Sequence, residues 1–109
     1  MEQPNLNQIE LLAGNDVVFK TQLLQVIQKE FPAEKQFYED CVLSKDNKKT
    51  AEIVHKLKHK ISILGLEKGY EIAVHYENAL RENQDSFKQD FEQVLLSISK
   101  FLEMLKKEL

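Results

Sequence analysis

Apolar residues recur at three- and four-residue spacing along most of the chain, in runs separated by short polar or glycine-bearing breaks. The first run, Leu6, Ile9 and Leu12 within Asn5–Leu12, is closed by Gly14-Asn15 and predicts a short N-terminal helix. Asp16 follows as a good N-cap. From there Phe19, Leu23, Val26, Ile27, Phe31, Tyr38, Cys41 and Val42 form one stripe reaching about Ser44. Pro32 interrupts it. An interior proline loses a hydrogen bond and clashes with the carbonyl four residues back, that of Gln28, at a cost of ~3 kcal/mol. It also pushes Phe31 away from helical geometry. Phe31 and Tyr38 are nevertheless seven apart, so the stripe keeps its phase, and the pattern favours one long kinked helix over two.

Lys45-Asp46-Asn47 is a polar break offering two N-caps for a helix that runs to about Leu64, with Gly65 as its stop. The next helix, from about Glu67 to Arg81, places Ile72, Ala73, Tyr76, Ala79 and Leu80 on one side. Asn83-Gln84-Asp85 reads as a loop, with Asp85 or Ser86 as the following cap. The last helix has the cleanest stripe: Phe87, Phe91, Val94, Leu95, Ile98, Phe101, Leu102 and Leu105. Lysines near its end suit the helix dipole. No β-type alternation or internal repeat is present. The expected fold is all-α, an antiparallel four-helix bundle with a short additional N-terminal helix, in one domain over residues 1–109.

Composition agrees. Three Gly, two Pro and no Trp in 109 residues suit helices, and a chain of this length buries enough surface to need no metal or disulfide. The single cysteine, Cys41, excludes an internal disulfide and fits a reducing compartment. Met1-Glu2-Gln3-Pro4-Asn5 has no signal-peptide pattern, and no apolar run approaches the ~18 residues of a membrane span. Lys106-Lys107-Glu108-Leu109 superficially resembles an ER-retrieval tail; without a signal peptide it reads as a helix end. A cytoplasmic, free-standing monomer is expected. The net charge of −3 hides an asymmetry: between Lys45 and Lys60 six lysines face only Asp46 and Glu52, a local balance of +4 that leaves −7 elsewhere. So small a basic patch argues against nucleic acid and suits a compact acidic site on another protein.

That patch centres on the helix of residues 47–64. Advancing about 100° per residue, Ile53, Val54, Leu57, Ile61 and Leu64 fall between about 160° and 260° from His55 and form the core stripe. Lys58, His59 and Ser62 lie within about 60° of His55, and Lys56 adjoins it, so these residues should share one exposed face. At neutral pH an exposed imidazole is mostly unprotonated and nucleophilic, and a neighbouring ammonium attracts phosphoryl oxygens. His55 is therefore a candidate phosphoryl acceptor, with Lys58 beside it. His55 and His59 also have the i, i+4 spacing of paired metal ligands. No carboxylate shares their face, however, and three lysines oppose a cation, so no metal is expected. Ser62 is seven residues from His55, too far for a base–nucleophile bond along one helix. No glycine-rich phosphate loop is present, so no ATP site is expected.

His55, Leu57, Lys58, Leu64 and Gly65 follow the order His, any, Leu, Lys, then Leu-Gly nine and ten positions after the histidine. This resembles the histidine-containing phosphotransfer (HPt) domain. Leu11 to Phe19 resembles the start of that family's long second helix, and Phe31-Pro32 its mid-helix proline. Asp46, nine before the histidine, resembles the acid opening the active helix, and Tyr76-Glu77 an apolar–Glu pair. The resemblance implies a phosphocarrier without autonomous catalysis. His55 would accept the group from an aspartyl-phosphate of a response-regulator receiver, or of a hybrid sensor kinase's receiver, and pass it to another. Lys58 would steer the phosphoryl oxygens, while His59, Ser62 and Lys56 bind the partner. No cofactor is implied for this chain, because Mg²⁺ would sit on the receiver. Two residues depart from the family: His59 stands where glycine is usual, and Gly69 where an aliphatic residue is common. The alternative is a helical adaptor that binds or sequesters a receiver without efficient transfer.

Overall fold

The structure, a computed structural model, describes residues 2–108. Met1 and Leu109, which figure in the expected start and tail, lie outside the described residues. Five α-helices follow in order, α1 (Asn7–Ala13), α2 (Val17–Leu43), α3 (Asn47–Ile63), α4 (Glu67–Arg81) and α5 (Lys88–Glu108), with no strand among the described residues. Of the expected caps, Asp16 Oδ1 accepts from Phe19 N at 2.9 Å and Asp46 Oδ1 from Lys49 N at 3.0 Å. Asp46 is therefore the cap of α3, and Asn47 its first residue. At α5 the expectation fails. Neither Asp85 nor Ser86 is the residue before the helix; Phe87 is, at φ 74°, with its ring stacked on His75. Phe87 thus leaves the core stripe and is exposed.

Helix α2 runs unbroken through Pro32, and Phe31 stays both helical and buried. Its core residues are Ile27, Phe31, Tyr38 and Cys41, whereas Phe19 and Val26, expected on the same stripe, are exposed. Both lie about 100–120° to one side of the line through Ile27, Phe31 and Tyr38, at the margin of a buried face. Leu12 of α1 is likewise exposed; Ile9 and Ala13 are the residues that α1 buries.

Contacts run between α2 and α3, α3 and α4, α4 and α5, and α5 and α2, closing a ring, while α1 packs on α2. The molecule measures 44 × 22 × 21 Å. At one level of the interior Tyr38, Tyr76 and Phe91 bring together α2, α4 and α5, with ring centres 5.2–6.3 Å apart. The Tyr38 hydroxyl donates to Glu92 Oε2 at 2.8 Å and lies 2.9 Å from the Tyr76 hydroxyl, which is left to donate to it. Burial pushes both phenols above their ordinary pKa, so they remain protonated donors. Lys60 ties α3 to α2, its ammonium 2.9 Å from Glu30 and 3.0 Å from Glu34. No described helix is long and apolar enough to cross a membrane.

The turn from α3 to α4 sets how these two helices face each other. Gly65 adopts φ 79°, as a left-handed helix stop requires. Leu66, at the N-cap of α4, has no side chain able to cap it, and the chain's own N-terminal segment supplies the deficit. Glu2 accepts from the backbone N–H groups of Lys68 and Gly69, both at 3.0 Å, and Asn5 N donates to Leu64 O at 2.8 Å. The structure also accounts for Gly69. A Cβ there would stand 3.1 Å from Val94 Cγ1 and from Leu66 Cβ, and 3.2 Å from Ile61 Cγ2, so a larger residue would need these side chains to give way by a few tenths of an ångström.

Candidate functional site

Helix α3 buries Ile53, Val54, Leu57, Ile61 and, just beyond its end, Leu64, the residues expected on its apolar stripe. His55, Lys56, His59 and Ser62 are exposed on its other side. The side chain of His55 keeps 53% of its surface accessible. His59, one turn on, meets it edge to face, with ring centres 5.7 Å apart. Lys56 makes no ion pair among the described residues. Ser62, one turn beyond His59, lines a cleft at the α3–α4 turn with Asn5, Gly65 and Tyr70.

Lys58 differs from expectation. It shares the polar face, but its side chain is only 13% exposed, and its ammonium lies 2.9 Å from Glu77 Oε1 and 5.9 Å from the centre of the Tyr70 ring. The same carboxylate oxygen is 3.2 Å from His55 Nδ1. The other oxygen, Oε2, accepts from Arg81 Nη2 at 2.9 Å and from Nε at 3.3 Å. Glu77, on α4, is 7% exposed. The view that no carboxylate serves this face is therefore corrected, because a neighbouring helix supplies one. Glu77 stands four residues after Ala73 and three before Leu80, on the buried side of α4. An acid in core phase, followed by arginine at i+4, was the available signal, since a buried charge requires partners.

The electrostatics of Glu77 fix the direction of its hydrogen bond to His55. Burial alone would raise the carboxyl pKa, but the hydrogen bonds from Lys58, Arg81 and His55 more than reverse this and hold it below the ordinary value of 4.5. At neutral pH Glu77 is thus an anion that can only accept. The bond to His55 then requires a proton on Nδ1, so the neutral imidazole carries its lone pair on Nε2. Among the described residues Nε2 has no hydrogen-bond partner. The arrangement is an exposed imidazole whose ring is oriented through Nδ1 by a buried anion.

Among the described residues no three His, Cys, Asp or Glu side chains gather as a metal-binding group. Comparison of the chain with known protein families, with characterised proteins and with solved structures finds no match in any of the three.

Proposed function

We propose that the protein is a phosphorelay intermediate of the HPt type, accepting a phosphoryl group on His55 from a receiver aspartate and passing it to another receiver. The observation that carries this reading is the exposed imidazole held through Nδ1, at 3.2 Å, by the buried Glu77. In the proposed step the Nε2 lone pair attacks the phosphorus of an aspartyl-phosphate in line, the N–P bond forms, and the P–O bond to the aspartate breaks. The aspartate leaves as a carboxylate, so no general base is required. The phosphorylated ring retains its Nδ1 proton and gains positive charge, which the Glu77 carboxylate offsets. Transfer onward reverses these steps. Lys58, anchored on Glu77 one turn from His55, is assigned to the phosphoryl oxygens, and Lys56, His59 and Ser62 to the rim of the partner contact. The protein has no catalytic site of its own in this reading, and Mg²⁺ belongs to the receiver. The closed ring of α2, α3, α4 and α5 supports the finer fold reading, an antiparallel four-helix bundle with α1 appended. A cytoplasmic monomer is part of the same proposal.

Incubation with a phosphorylated receiver tests it. Wild type should acquire an acid-labile label and His55→Gln none; equal labelling of the two proteins, or none of wild type across a panel of receivers, overturns the proposal. His59 favours one second reading. Its ring stands against His55 where an incoming receiver needs room, which would make the protein a receiver-binding adaptor with slow transfer. In that case receiver binding survives His55→Gln and neither protein is labelled.

A further inference from the structure

Two features of the His55 face go beyond phosphoryl acceptance: a second imidazole one helical turn away, and a carboxylate behind the first. We propose that His55 and His59 together form a reversible surface site for a divalent transition-metal ion of the zinc class. Glu77 serves as the outer carboxylate that orients His55. Two objections arose from the sequence alone, the lack of a carboxylate and the presence of three lysines. The structure answers both in large part. Glu77 arrives from α4, and the Lys58 ammonium is paired with it at 2.9 Å. Lys60 is engaged by Glu30 and Glu34 on the side facing α2, which leaves Lys56 as the exposed cation among the three.

The geometry fits a shared ion. A Zn–N bond of about 2.0–2.1 Å puts an imidazole centre about 3.2 Å from the metal, so two rings on one tetrahedral ion have centres about 5.2 Å apart, and at most about 6.4 Å. The observed 5.7 Å lies between these values. The rings stand edge to face at 89°, so sharing an ion requires side-chain rotation, and both residues lie on the exposed face of α3. A metal-ligating histidine ordinarily donates its other ring N–H to a carboxylate or carbonyl, which raises the basicity of the ligating nitrogen. His55 Nδ1 has that partner in Glu77. The donor set, two neutral imidazoles with water completing the shell, suits zinc, copper or nickel rather than magnesium or calcium. With two protein ligands the site is far weaker than a closed four-ligand structural site.

One consequence rests on the phosphoacceptor reading. The metal takes the same Nε2 lone pair that a phosphoryl group would take, so the two are mutually exclusive on His55. Metal binding itself is measured without a phosphoryl donor, so failure of either proposal leaves the other standing.

The test is calorimetric titration of the full chain with zinc chloride near pH 7.5. Wild type should bind one ion. His59→Gly should lose about tenfold or more in affinity, and Glu77→Gln about 10–100-fold, the range for loss of an outer-shell carboxylate. His75→Gln, a change to the histidine stacked on Phe87, should bind as wild type does. Circular dichroism of each variant verifies that the helices are intact. Equal affinity of His59→Gly and wild type, or no binding at millimolar zinc, overturns the proposal.

Discussion

Replacing Glu77 by glutamine probes the buried anion with least change of shape. The amide keeps one carbonyl oxygen for His55 Nδ1 but removes the charge that Lys58 and Arg81 meet. Lys58 dominates the cost: its ammonium is mostly buried and 2.9 Å from the carboxylate, and a hydrogen bond between charged groups contributes about 1.5–3 kcal/mol. Arg81 is half exposed, so solvent screening limits its share to about 0.5 kcal/mol. Relief of the buried charge's desolvation offsets part of the sum. The expected loss is about 2 kcal/mol, or roughly 8–10 °C in Tm for a domain near 100 residues. The pH dependence has a definite sign. The folded-state pKa of Glu77 lies below its ordinary value of 4.5, so its stabilisation is complete above that value and is lost as pH falls through the depressed one. Urea unfolding of both proteins from pH 7 downward measures this. The gap should be widest at neutral pH and close on the acid side. A gap under about 0.5 kcal/mol at pH 7, or one that does not change with pH, refutes the account of Glu77 as a paired buried anion.

Two further substitutions test the packing that presents the site. Gly69→Val should destabilise by about 1–3 kcal/mol, because its Cβ already meets Val94, Leu66 and Ile61 at 3.1–3.2 Å; urea unfolding at or above wild-type stability would contradict that close approach. Tyr38→Phe removes the donor to Glu92 and the acceptor for the Tyr76 hydroxyl in one step, and should cost about 1–3 kcal/mol with the helix content measured by circular dichroism unchanged. A neutral effect would mean that water replaces the lost hydroxyl.

Periodicity along single helices revealed the five helices and which side of α3 is buried. The spacing of Ile53, Val54, Leu57, Ile61 and Leu64 defines the buried side of α3 without ambiguity, and that alone brings His55 and His59 to the exposed side. Asp16 and Asp46 cap as their positions imply, because a cap is a local interaction. The misreadings came where one helix depends on others. Phe19 and Val26 are apolar but lie at the edge of the buried arc, and only the neighbouring helices decide where that arc ends. Lys58 reads as a surface cation until α4 supplies Glu77, since the phase within a helix says nothing of what projects from the next one. The Glu2 cap on α4 spans more than sixty residues of sequence, and no local pattern encodes it.

The last point bears on how the site is maintained. His55 and Glu77 belong to different helices, so the 3.2 Å contact between them is a statement about register: one residue of slip would turn Glu77 by about 100° and remove it from the imidazole. Register is set at the Gly65 turn and clamped there from outside, by Asn5 on the last carbonyl of α3 and by Glu2 on the first free N–H groups of α4. On the far side Gly69 lets α4 settle against Val94 of α5. These residues never approach the imidazole, yet they fix the relation between the two helices on which its orientation depends. The His55 face of α3 is therefore a joint property of the turn, the N-terminal segment and α4, and the imidazole is oriented because its Nδ1 is held by a residue that the turn has positioned.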